Sequence, residues 1–208
     1  ETIPAAMPYL RADREAAARW KARLGGAFNV GIVWAGNPEH VNDGRRSIPL
    51  EQLAPLFAVP GVSFTSLQVG PRGDELKAHP EFGIAYVASE LVGFAATAAL
   101  IDALDLVITI DSAVAHLAGG QGKPTWLLTP WVSDWRWLLD REDNPWYPTM
   151  RLFRQAEGEA WPAVIDRLVG ELSAVVTGDP ARLMPFRALG EKRATQAAAI
   201  IAAQEERQ

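Results

Sequence analysis

Leu104-Asp105-Leu106-Val107-Ile108-Thr109-Ile110-Asp111-Ser112-Ala113-Val114-Ala115-His116-Leu117-Ala118-Gly119 is the stretch on which the fold turns. Leu106 to Ile110 is a short apolar, β-branched run that reads as a strand buried on both faces, which implies a parallel sheet. Ser112 is a good N-cap for a helix running through Ala118. The first N–H groups of that helix, at Ala113, Val114 and Ala115, have no intrahelical partners, and no bulky side chain shields them from an anion. His116 stands one turn above Ser112 on the same face. Two readings of Asp111, Ser112 and His116 are open at this point. One is a structural cap with a satisfied histidine; the other is a ligand site.

Working outward, strands and helices alternate. Arg11 to Leu24 reads as a helix with Ala16, Ala17, Trp20 and Leu24 on its apolar side, stopped by Gly25-Gly26. Strands are expected at Val30 to Ala35, Val62 to Gln68, Ile84 to Val87, Leu106 to Ile110, Thr125 to Leu128 and Arg151 to Phe153. Between them, helical segments are expected at Leu50 to Phe57, Asp74 to Ala78 and Phe94 to Leu104. Trp161 to Val176 carries Val164, Ile165, Leu168, Val169 and Leu172 on one side, an amphipathic helix. The expected fold class is therefore α/β, a Rossmann-like doubly wound sheet of five or six parallel strands with right-handed crossovers. Residues 1–10, with Pro4 and Pro8, read as a linker, residues 11–177 as the domain, and residues 178–208 as a C-terminal helical extension. No internal repeat is seen.

A chain of 208 residues suits one sizeable domain. Its formal charge of −5 sets the overall field against a phosphate backbone, so nucleic acid is not an expected partner. With no cysteine there is neither disulfide nor thiolate metal site, and His40, His79 and His116 lack ligand spacing, so no metal is expected. No apolar run approaches the roughly 20 residues of a membrane span, and a secretory pattern is missing at the start. A cytoplasmic protein is the default expectation.

Ligands of open parallel sheets sit beyond the carboxyl ends of the strands. The first such loop, Gly36-Asn37-Pro38 through Arg45-Arg46-Ser47, offers free backbone, amides and two guanidiniums. Arginine's planar fork suits a diphosphate, although Arg45 and Arg46 also fit solvated loop charges. The second offers Gln68 and Gly70, then Asp74 and Glu75, which serve either a helix dipole or a ribose. The third is Asp111, Ser112 and His116. The fourth contains Trp131, Trp135, Trp137, Trp146 and Tyr147, able to stack on a sugar or base or to pack the loop on the sheet. Gly31 and Gly36 lack the G-x-G-x-x-G spacing, which disfavours a nicotinamide, and neither a P-loop nor a G-x-S-x-G elbow occurs. No cofactor is expected.

Several motifs in order, Gly31-Ile32-Val33-Trp34-Ala35-Gly36-Asn37-Pro38, Asn42-Asp43-x-x-Arg46-Ser47-Ile48, Ser66-Leu67-Gln68, Asp105 to Gly119, Asp134-Trp135-Arg136-Trp137 and Pro145-Trp146-Tyr147-Pro148, resemble glycosyltransferase family 9 over roughly residues 1 to 172. More narrowly, they are similar to the carboxy-terminal, heptosyltransferase-like half of bacterial tetratricopeptide-repeat proteins. The resemblance implies half of a GT-B fold, the half that holds a nucleotide-diphosphate sugar. It implies that Arg46 binds the donor diphosphate with Gly36 and Asn37, and that Glu75, with Asp74 as the alternative, binds the ribose. Val92 would lie near the base, while Asp111, Ser112, Ala113 and His116 match an Asp-Thr-Gly-x-x-His segment that holds sugar and phosphates.

The resemblance also implies an inverting, metal-independent transferase whose acceptor domain, supplying the general base, is missing before residue 1, behind helical repeats. No catalytic residue is assigned, and the isolated chain is expected to be inactive. One departure bears on activity. Gly93-Phe94-Ala95-Ala96-Thr97 stands where related sequences tend to read Asp-Phe-x-Asp-Thr, so two carboxylates are absent. That motivates the alternative of a non-catalytic, degenerate transferase domain acting as an interaction module. A sugar-nucleotide epimerase would share the architecture but lacks assignable acid and base residues.

Overall fold

The computed structural model describes residues 6–184. Beyond residue 184 the expected C-terminal helical extension lies outside the described residues, as do residues 1–5. Helix α1 (Arg14–Leu24) starts where the Asp13 carboxylate accepts the Ala16 N–H at 2.8 Å, and ends at Gly25, whose φ of 76° takes the chain out of the helix. Strand β1 (Phe28–Val33) follows, then the one-turn helix α2 (Asp43–Arg46), a 3-10 turn at Leu50–Leu53 and helix α3 (Ala54–Phe57). Next come β2 (Val62–Ser66), 3-10 segments, β3 (Ala85–Tyr86), α4 (Gly93–Ala103), β4 (Leu106–Ile110), α5 (Ala113–Gly120), β5 (Thr125–Thr129), β6 (Met150–Arg154) and α6 (Trp161–Val176).

The six strands form one parallel sheet in the order β3-β2-β1-β4-β5-β6. The chain builds outward from β1 in one direction through β3, crosses over by α4, and builds outward in the other direction. Right-handed crossovers therefore place α3 and α5 on opposite faces. α4 packs on both α1 and α5, and α3 packs on α6. Ile32 pairs in register with Ser66 on one side and Ile108 on the other, so the loops after β1, β2 and β4 leave the sheet at nearly one level.

The core explains this arrangement. Every residue of β4 and β5 is buried, as a central parallel strand requires, and α6 inserts Val164, Ile165, Leu168, Leu172 and Val175. Each such side chain contributes about 1.5–3 kcal/mol of transfer free energy. The edge strand β3 is two exposed residues long, shorter than the four expected from Ile84 to Val87. It needs only to pair Thr65 and Ser66.

The amino ends of the strands are closed by internal polar bonds. Asp105 Oδ2 accepts the Asn29 N–H at 2.7 Å, and the Asn29 amide donates to Ala27 O at 2.7 Å. Lys123, buried, donates to Asp102 O at 3.0 Å and Leu104 O at 2.5 Å, closing the end of α4. Burial lowers its pKa to about 8.

Candidate functional site

Because β1 leads to β2 on one side while β4 leads to β5 on the other, the loops leaving β1 and β4 diverge. A crevice opens at the switch in strand order. It holds a cavity of about 500 Å³, lined by residues after β1, β2 and β4 and by the start of α4.

The loop after β1 folds back onto its own strand. Ile48 N donates to Trp34 O at 2.8 Å, Ser47 Oγ donates to Asp43 Oδ1 at 2.9 Å, and Gly36 N donates to Ser47 Oγ at 2.9 Å. The single turn of α2 then decides between two adjacent arginines. Arg45 is exposed, whereas the Arg46 side chain keeps only 16% of its surface and reaches the turn after β4, beside the cavity but not among the residues that line it. Its Nε approaches Asp43 Oδ1 at 3.4 Å, and its Nη1 donates to Asp111 O at 3.0 Å. Gly36 makes room for it: a Cβ there would lie 2.5 Å from Arg46 Nη2 and closer still to Asp43 Oδ1. The loop after β1 is thus tied through a guanidinium to the turn between β4 and α5.

At that turn the structure corrects one sequence expectation. Ser112 occupies the N-cap position in an extended conformation, but its side chain caps nothing. Its hydroxyl lies 3.1 Å from Thr109 Oγ1, which itself donates to Ile110 O at 2.9 Å. Ala115 N is also not free, since it donates to Ser112 O at 3.1 Å. The Ala113 and Val114 N–H groups have no acceptor among the described residues, and both residues line the cavity with Ser112.

The other sequence-selected residues divide into groups. Asn37 and Gln68 line the cavity. Gln68 Oε1 accepts Ala35 N at 3.0 Å and Trp34 N at 3.3 Å, so it holds the end of β1 in place. Glu75 accepts the Trp34 indole N–H at 3.0 Å and pairs with Arg72 at 3.1 Å. Its neighbour Asp74 is taken by Lys77 at 2.7 Å and by the Tyr86 hydroxyl at 2.6 Å, bonds that hold its pKa low. Val92, 81% exposed, stands between cavity-lining Leu91 and Gly93. Sequence reasoning passed over Phe94, 64% exposed, which lines the cavity with Thr97 and Arg72. An apolar residue exposed in the first turn of a predicted helix was the available signal.

His116 does not join the crevice cavity. It lines a second cavity, of about 360 Å³, with Tyr9, Trp135, Arg136 and Trp146. Its Nδ1 lies 2.9 Å from the Tyr147 hydroxyl, and its ring stacks on Trp137 at 5.3 Å. Close approach at Gly119, where a Cβ would meet the Tyr147 ring at 2.6 Å, lets that tyrosine pack on α5. Burial lowers the His116 pKa, partly offset by Asp111, and burial raises that of Tyr147. Among the described residues no group of three or more His, Asp or Glu side chains converges to hold a metal ion. None of the described helices is long and apolar enough to cross a membrane.

No family model matches the sequence. Protein FlbA of Caulobacter vibrioides is 32% identical over 180 residues, covering 83% of this chain and 30% of that protein. The chain thus spans less than a third of the length of that curated relative. Among solved structures, the ADP-heptose lipopolysaccharide heptosyltransferase II of E. coli superposes with a TM-score of 0.60 at 18% identity, covering 86% of this chain and 57% of that one. The E. coli heptosyltransferase WaaC with ADP gives 0.51 at 12% identity, covering 80% and 51%. The chain therefore has the Rossmann-like α/β fold found in GT-B heptosyltransferases, and spans about half the length of each.

Proposed function

We propose that this chain is the donor-binding domain of an inverting, metal-independent GT-B glycosyltransferase of the cytoplasm, and that it holds a nucleotide-diphosphate sugar at the switch point. The observation that carries the reading is Arg46: a largely buried guanidinium tied to Asp111 O, beside two helix N–H groups that have no acceptor among the described residues. A diphosphate there would gain charge-assisted bonds from the guanidinium and hydrogen bonds from Ala113 and Val114. In glycosyl transfer the diphosphate leaves with its charge increasing, and donors already fixed around it lower that barrier without needing to reorganise. An acceptor hydroxyl would attack the anomeric carbon from the face opposite the leaving diphosphate, helped by a base on another domain. Glu75, which follows β2 and is held by Trp34 and Arg72, is suited to ribose hydroxyls; the apolar end formed by Leu67, Leu91 and Phe94 suits a base.

Isothermal titration with ADP, UDP and GDP tests the reading. At least one is expected to bind; no binding by any at millimolar concentration would sink it. One observation favours the second reading, a non-catalytic interaction module: Gly93 and Ala96 place no carboxylate at the start of α4, where the cavity opens. Turnover of a nucleotide sugar by the full-length protein would exclude that module.

A further inference from the structure

Arg72 lines the crevice cavity, and the phosphate reading leaves it unused. It stands in the tight loop after β2, where Gly73 N donates to Gly70 O at 2.9 Å and Asp74 N to Pro71 O at 3.2 Å. Gly73 lies so close to the strand end that a Cβ there would meet Gln68 O at 2.8 Å. The guanidinium is anchored on one side. Its Nε lies 3.1 Å from Glu75 Oε1, while Glu75 Oε2 accepts the Trp34 indole N–H at 3.0 Å. Neither terminal nitrogen of Arg72 makes a hydrogen bond among the described residues, and the side chain keeps 36% of its surface. A planar fork of donors is therefore held, unused, in the cavity that Leu67, Leu91 and Phe94 also line.

The acceptors of the same cavity are engaged. No Asp or Glu is among the residues that line it. Gln68 Oε1 accepts the Ala35 and Trp34 N–H groups, Asn37 Oδ1 accepts Glu39 N at 3.0 Å, and the Thr97 hydroxyl donates to Gly93 O at 3.3 Å. A base entering the cavity thus meets free side-chain donors and occupied side-chain carbonyls. That imbalance separates bases by the group they carry at one ring position. Guanine and hypoxanthine have a carbonyl oxygen at C6 beside N7, two acceptors that fit the two ends of a guanidinium; adenine has an amine in place of the oxygen, which sets donor against donor. Uracil offers a carbonyl oxygen at C4 but no N7, so it satisfies half of the fork.

We propose that the crevice selects nucleotides with a 6-oxopurine base, guanine or hypoxanthine, over those with adenine, the Arg72 fork bonding O6 and N7 and the ring lying against Phe94. The selection rests on the donor-binding reading above and adds which base that site takes.

Isothermal titration with ADP, inosine diphosphate, GDP and 7-deaza-GDP tests it, because inosine diphosphate and ADP share sugar, phosphates and ring size. Inosine diphosphate and GDP are expected to bind about five- to fiftyfold tighter than ADP, and 7-deaza-GDP, which lacks the N7 acceptor, about three- to tenfold weaker than GDP. Arg72→Met should bring ADP and inosine diphosphate to within about twofold of each other. Arg72→Lys keeps a charge beside Glu75 but not the fork, so it should narrow the same gap while leaving ADP within about twofold of wild type. The selection is overturned if ADP binds the wild type as tightly as inosine diphosphate and GDP, if 7-deaza-GDP matches GDP, or if the preference survives in both variants. Binding of UDP without any of the four purine nucleotides would overturn it and leave the donor-binding reading standing. No binding by any of the five at millimolar concentration would remove that reading, and the base selection with it.

Discussion

The two ends of strand β4 handle polar groups in opposite ways. At its start, Lys123 bonds to Asp102 O and Leu104 O, and Asp105 holds Asn29, so charges and carbonyls satisfy one another inside the protein. At its end, Arg46 has one nitrogen on Asp111 O, while the Ala113 and Val114 N–H groups lack acceptors among the described residues. The contrast separates polar groups that hold the fold from polar groups held by the fold. A buried lysine is costly to leave unpaired and is therefore closed off, whereas a guanidinium beside a crevice can keep donors for an anion.

The largest expected effect breaks the open end. Arg46→Ala should lower affinity for a nucleoside diphosphate about 30- to 100-fold, the loss of a charged hydrogen-bonded contact worth about 2–3 kcal/mol, and leave nucleoside binding nearly unchanged. Titration calorimetry checks this, and equal losses for both ligands would deny Arg46 a phosphate role. Next comes the closed end. Lys123→Met leaves two carbonyls without their donor and should cost about 1–3 kcal/mol at pH 7 in denaturant unfolding.

That cost should grow with pH. Lys123 has a folded pKa near 8 against 10.5 for the free side chain, so between those values the unfolded chain binds more protons. The lysine's contribution to stability therefore rises across this window, by up to roughly 3 kcal/mol. The neutral amine still has the hydrogens to serve both carbonyls. A gap between wild type and variant that stays flat from pH 7.5 to 10.5 would contradict the assignment.

A smaller effect is expected at Phe94, whose exposed ring borders the apolar end of the crevice. Phe94→Ala should weaken nucleotides about three- to tenfold through lost stacking, with unfolding stability unchanged. The smallest sharpens the correction at α5. Because the Ser112 side chain caps nothing, Ser112→Ala should change stability by less than about 0.5 kcal/mol, where a true cap would lose about 1. Thermal unfolding distinguishes the two.

Strand β4 and helix α6 match the sequence reading residue for residue, because a continuous apolar run and a 3.6-residue stripe are local properties. β1 begins two residues earlier than expected, at Phe28. Asn29 looks like a turn residue until Asp105, 76 positions away, accepts its N–H. Helix α2 was not expected at all, since its one turn depends on Gly36, Ser47 and Trp34 folding the loop back. The same cause limits the site. The residues alone leave Arg45 and Arg46 equivalent and only the resemblance singles out Arg46; the phase of that turn is why Arg46 is drawn in to Asp111 O while Arg45 stays exposed. His116 lies on α5 as expected but does not share the crevice cavity with Ser112, because what it faces is set by residues 134–147, whose course no local pattern specifies.

Tyr9 and Leu10 both donate their backbone N–H to Gly120 O at 3.0 Å. The incoming chain is thereby stapled to the last residue of α5, while the first turn of that helix faces the crevice. Eight residues of helix make a rod about 12 Å long, stiff over that length. Residues 9 and 10 are thus joined to the cavity-lining turn of α5 through one short helix, with no loop in between.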